Sequence, residues 1–106
     1  MLKALFNRKK FQEDLEKTIA ICERELEQRK QGLPGDCTVE QLENVIIPEL
    51  KEYLQLSLEK RLKERRKSWW LVSSWLLLDG SVQDMSKVSE LAEAILTLDR
   101  KYGFKP

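Results

Sequence analysis

From Phe11 to Tyr102 the large apolar residues of this chain return every three or four positions, and no stretch alternates them with polar residues in the manner of a strand. That spacing places them on one stripe of an α-helix, so the chain must fold by burying helical stripes against one another. Phe11, Leu15, Ile19, Cys22 and Leu26 mark a helix over 9–31, with Glu13–Lys17 and Glu25–Arg29 as i,i+4 pairs on its wet side. Gly32-Leu33-Pro34-Gly35-Asp36 ends it, and 32–37 reads as a loop. Thr38-Val39-Glu40-Gln41 forms a capping box, in which the Thr hydroxyl and the Gln amide satisfy the first free amides of a second helix.

Leu42, Val45 and Ile46 continue that helix until Pro48, which has no amide hydrogen and crowds the preceding turn; the helix kinks or restarts there. Leu50, Tyr53, Leu54, Leu58 and Leu62 then face inward along a stretch reaching Lys67. Ser68 is either a break or the point from which the helix runs on to Leu78. Asp79-Gly80-Ser81 marks a turn at 79–83, and Asp84 or Ser86 caps a last helix. The stripe of this helix is Val88, Leu91, Ala92, Ile95, Leu98 and Tyr102, and Gly103 stops it. With 1–8 as a loose N-terminal segment, the expectation is one all-α domain over 1–106. It is a small antiparallel bundle of about four helices, the second kinked or broken at Pro48.

One segment fits this scheme awkwardly. Trp69-Trp70-Leu71-Val72-Ser73-Ser74-Trp75-Leu76-Leu77-Leu78 is apolar nearly all round, relieved only by its serines. Three tryptophans could bury roughly 500 Å², on the order of 10 kcal/mol gross. Such a helix has to be surrounded by other helices, by a partner or homodimer mate, or by lipid. A central core helix is the plain reading; a chain of 106 residues has few helices with which to cover every side.

Charged residues make up 35% of the chain, which suits long amphipathic helices with wide wet faces. The 19 cations and 18 anions leave a net charge of +1, without the basic excess of a dedicated nucleic-acid binder. Their distribution is uneven, because Lys60-Arg61-Leu62-Lys63-Glu64-Arg65-Arg66-Lys67 sets six cations against one carboxylate. This run can serve as a phosphate-binding stripe with Trp69 and Trp70 ready to stack on bases. It can equally be a solvated helix end, where cations complement the macrodipole of a helix that starts with Glu40 and Glu43. A helix-turn-helix over 69–102 fails, since its recognition helix would show Glu90, Glu93 and Asp99 to phosphates.

The chain has no histidine, which removes histidine-activated nucleophiles, most zinc sites and the carboxylate-histidine di-iron bundle. No Gly-rich phosphate loop is present, and the Glu23–Glu27 pair lies opposite the apolar stripe. Cys22 falls on a stripe and is expected as a buried thiol; a Cys22–Cys37 disulfide would need an oxidising compartment. Met1 to Phe6 followed by Arg8-Lys9-Lys10 lacks the pattern of a signal peptide, and the longest apolar run is about half a membrane span.

These features point to a small cytoplasmic protein–protein interaction module without catalytic activity or cofactor, of the adaptor, inhibitor or toxin-neutralising immunity type. Its expected contact surface is Arg61, Arg65 and Arg66 with Trp69, Trp70 and Trp75, facing a protein with an acidic surface or a second copy. A nucleic-acid accessory protein using 60–67 is the alternative, and a peripheral membrane protein using 60–78 is a second one.

Overall fold

A computed structural model of the chain describes residues 7–35, 37–64, 71–77 and 89–102, without the Trp75 side chain. Its helices are α1 (Arg8–Lys30), α2 (Val39–Gln41), a π-helical stretch (Leu42–Ile46), α3 (Ile47–Leu58), α4 (Val72–Leu76) and α5 (Glu90–Tyr102). No strand occurs among the described residues, and the fold is the expected small all-α bundle.

α1 starts at Arg8, one residue before the expected 9, because Asn7 caps it by accepting the Lys10 amide at 3.0 Å. It ends in a Schellman motif: the Leu33 amide donates to the Gln28 carbonyl and the Gly32 amide to that of Arg29, both at 3.0 Å. This places Gly32 at φ +88°, where a side chain would be strained. The chain then doubles back over α1. Gly35 lies against the Arg29 guanidinium, which donates to the Leu33 carbonyl at 3.1 Å and pairs with Glu25. Glu13–Lys17, the other expected pair, is not among the ion pairs of the described residues; Lys10–Asp14 stands beside it at 3.7 Å.

The capping box forms as the sequence implies. The Gln41 amide donates to Thr38 Oγ1 at 3.1 Å, and the Thr38 amide to Gln41 Oε1 at 2.9 Å. Pro48 does not split the helix that follows. The Ile47 amide reaches back five residues to Leu42, and this widened π turn gives the proline ring room that a regular turn denies it. The distortion expected at Pro48 is therefore a π stretch within one continuous helical run.

That run ends at Leu58, well short of Lys67. The Arg61 amide donates to the Leu56 carbonyl at 2.7 Å and the Lys60 amide to that of Ser57 at 3.1 Å, a second Schellman motif. Here the left-handed position is filled by Lys60 at φ +60° instead of glycine. Leu58 is 56% exposed, not inward-facing. Each i,i+4 step overshoots a full turn by about 40°. Leu50 is accordingly buried, Leu54 half-buried and Leu58 exposed, while Ser57 takes the inner position. The described cations of the run, Lys60, Arg61 and Lys63, thus follow the helix, and the last turn of α3 itself holds no basic residue.

α1 is the helix around which α3 and α5 pack. Gln12–Ser57, Glu23–Lys51 and Lys30–Glu43 link it to the second helical run in falling order, so the two are antiparallel. Arg24–Glu90 and Asp14–Tyr102 show the same order for α5. Phe11, Leu15, Leu42, Ile46, Leu50, Tyr53, Leu91 and Ile95 are at most 1% exposed and form the core between these helices. Burial of each such aliphatic side chain is worth about 1.5–3 kcal/mol. α5 is capped by Ser89, whose hydroxyl accepts the Ala92 amide at 3.1 Å; Asp84 and Ser86, expected in that role, lie outside the described residues, as do Val88, Gly103 and the turn at 79–83.

Candidate functional site

Three carboxylates fall on apolar stripes, where solvation is poor: Asp14 beside Phe11 and Leu15, Glu49 beside Ile46 and Leu50, and Asp99 beside Ile95 and Leu98. Each is half-buried, and each accepts from another helix. Glu49 of α3 receives the Val72 amide at 2.6 Å, the Ser73 amide at 2.9 Å and the Ser73 hydroxyl at 2.6 Å. Leu71, the residue at the cap of α4, is extended and has no side chain to offer those amides, so Glu49 caps α4 from a distance. Ser74 donates to Asp99 at 3.2 Å. The serines of the Trp segment thus point inward at carboxylates, at 0% and 2% exposure, alongside the buried Leu71 and Leu77.

Asp14 accepts the Tyr102 hydroxyl at 2.5 Å and the Lys101 ammonium at 2.9 Å. Burial pushes its carboxyl upward, but the bonds from Tyr102 and Lys101 outweigh it and hold the group below the usual carboxylate range. Burial, then the bond to Asp14, raises the Tyr102 hydroxyl. The Tyr102 ring meets Phe11 edge-on at 4.8 Å. All three carboxylates are consumed in holding helices together. Among the described residues no group of Cys, Asp and Glu is placed to hold a metal ion.

Both cysteines are buried, and no disulfide joins them. Burial, with the Cys37 thiol next in weight, pushes the Cys22 thiol up to about 12, the signature of an inert core thiol.

Of the residues expected at a contact surface, Arg65, Arg66, Trp69 and Trp70 lie outside the described residues, and Trp75 is placed in α4 by its backbone alone. Arg61 is exposed, but its guanidinium is committed. It donates from Nε to Glu64 at 2.7 Å, from Nη2 to Glu64 at 2.8 Å and from Nη1 to Glu59 at 2.5 Å. The bond from Gln55, then that from Arg61, holds Glu59 below its usual range; Arg61 does the same for Glu64.

Sequence reasoning missed the surfaces that α1 builds with its neighbours. Between α1 and α3 runs an open groove of about 410 Å³ lined by Glu16, Ile19, Ala20, Glu23, Lys51, Leu54 and Gln55. A smaller one of about 250 Å³ lies between α1 and α5, lined by Asp14, Lys17, Thr18, Ile21, Ala94, Thr97, Leu98 and Lys101. The legible signal was Ala20, a small apolar residue between the carboxylates at 16 and 23, which leaves space where a longer side chain would fill it. No described helix is long and apolar enough to cross a membrane. Compared with known proteins, the chain matches no family model, no curated protein and no solved structure.

Proposed function

We propose that the chain is a small protein–protein interaction module of the adaptor, inhibitor or toxin-neutralising kind, acting in the cytoplasm without catalysis. The observation that carries this reading is the α1/α3 groove: an open trough with an apolar floor and charged walls on two long, mutually braced helices. Rigid helices offering a shallow groove suit recognition of another chain, because little conformational entropy is lost on docking. Small-molecule sites enclose their ligands far more than this trough would.

Arg61 bears on where contact is made. Its charge is spent on Glu59 and Glu64, which leaves the described part of the basic run, Lys60 to Glu64, with less to offer a phosphate or an acidic protein. The groove is therefore the preferred surface. Cross-linking in the native host followed by mass spectrometry tests the reading. It expects one protein enriched over an unrelated helical bundle carried through the same procedure, and an equal yield from both would end it.

A further inference from the structure

We propose that the α1/α3 groove receives an amphipathic helix from a partner protein, with cationic residues flanking the helix's apolar face. This rests on the interaction-module reading and adds the partner's chemistry to it. Ile19, Ala20 and Leu54 form the apolar floor. Leu58, 56% exposed, sits one turn beyond Leu54 on the same side of α3 as Lys51 and Gln55, and it prolongs the apolar strip toward the end of that helix. Gln12 bonded to Ser57 and Glu23 bonded to Lys51 fix the two ends of the trough. The eleven residue steps from Gln12 to Glu23 span about 17 Å, or three turns, which is long enough to seat the i, i+3 and i+7 anchors of a docking helix, about 10 Å from first to last.

Charge selects the partner. Lys10, Lys17 and Arg24 recur at seven-residue steps on the α5 side, where Lys10 meets Asp14, Arg24 meets Glu90 and Lys17 lines the other groove. Glu16 and Glu23 recur at the same step on the α3 side. There the one lining cation, Lys51, lies 3.2 Å from Glu23, and no cation among the described residues pairs with Glu16. The groove is left net acidic around an apolar floor. It attracts lysine or arginine on an incoming helix and repels nucleic acid and anionic headgroups.

The test uses fluorescence anisotropy with a labelled helix-forming peptide carrying leucine at i, i+3, i+4 and i+7 and lysine on both flanks, against the same peptide with glutamate flanks. The lysine peptide should bind saturably, about tenfold tighter than the glutamate peptide. Ala20→Arg, which fills the floor at an exposed position, and Glu16→Lys should each weaken it about fivefold. Lys17→Glu, on the far edge, should leave it unchanged, and circular dichroism should show all three variants folded. Equal binding of the two peptides, or binding indifferent to Ala20→Arg, overturns the proposal. If a host partner is cross-linked yet Ala20→Arg leaves it attached, the groove assignment fails while the interaction reading stands. If no partner is found, both fail.

Discussion

Replacing Glu49 with alanine removes three acceptor bonds at once and leaves the partly buried amides of Val72 and Ser73, together with the Ser73 hydroxyl, without that acceptor. A hydrogen bond to a charged group contributes about 1.5–3 kcal/mol net, and a lost helix cap about 0.5–2 kcal/mol. The three bonds share one carboxylate that is itself partly desolvated, so they do not add; about 3 kcal/mol is the expected loss. For a domain of this size that corresponds to a melting temperature lower by roughly 10–20 °C. Circular dichroism melts and urea titration read both numbers. Ser73→Ala removes only the hydroxyl bond and should cost about 1 kcal/mol. The double variant should then be less destabilised than the sum of the singles, because the hydroxyl has no acceptor once Glu49 is gone. A loss below about 0.5 kcal/mol for Glu49→Ala, the ordinary range of a surface change, would refute the claim that this carboxylate holds α4.

Three further outcomes follow from local geometry. Lys60→Gly should stabilise the protein by about 1 kcal/mol in a urea titration, since only glycine enters the left-handed position of that Schellman motif without strain. Asp14 is held below its ordinary 3.8, so its contribution is present above that pH and lost as pH falls through the lower folded value. Acid titration of Asp14→Asn should show a flatter stability profile below about pH 4 than the parent chain. The Cys22 thiol, raised from 9.0 to about 12, should resist a thiol reagent at pH 8 in the folded protein and react fully in denaturant. Its raised value favours the folded state below pH 9.0, and that advantage is lost as pH rises toward about 12.

The amino-acid sequence by itself determined the all-α class, the loop at Gly32, the capping box at Thr38 and most of the core, because those depend on local bonds and on a 3.6-residue period that any reader can count. The groove was hardly visible there, since it exists only once α1 and α3 lie antiparallel. Leu58 shows why pattern alone misleads. It obeys the four-residue step from Leu54, yet each step turns about 40° too far, and only the packed helix reveals which turn has left the core. Lys60 stops its helix without the glycine that normally announces such an end, and the bonds that hold it left-handed form only in the folded chain. The serines at 73 and 74 read as the polar relief of an apolar segment, but they point inward, because Glu49 and Asp99 on other helices wait there as acceptors. Carboxylates sitting on an apolar stripe were the one sign in the sequence that such acceptors existed. Which hydroxyl each would meet was decided by tertiary packing, because a buried charge is tolerated only where donors from another part of the chain converge on it.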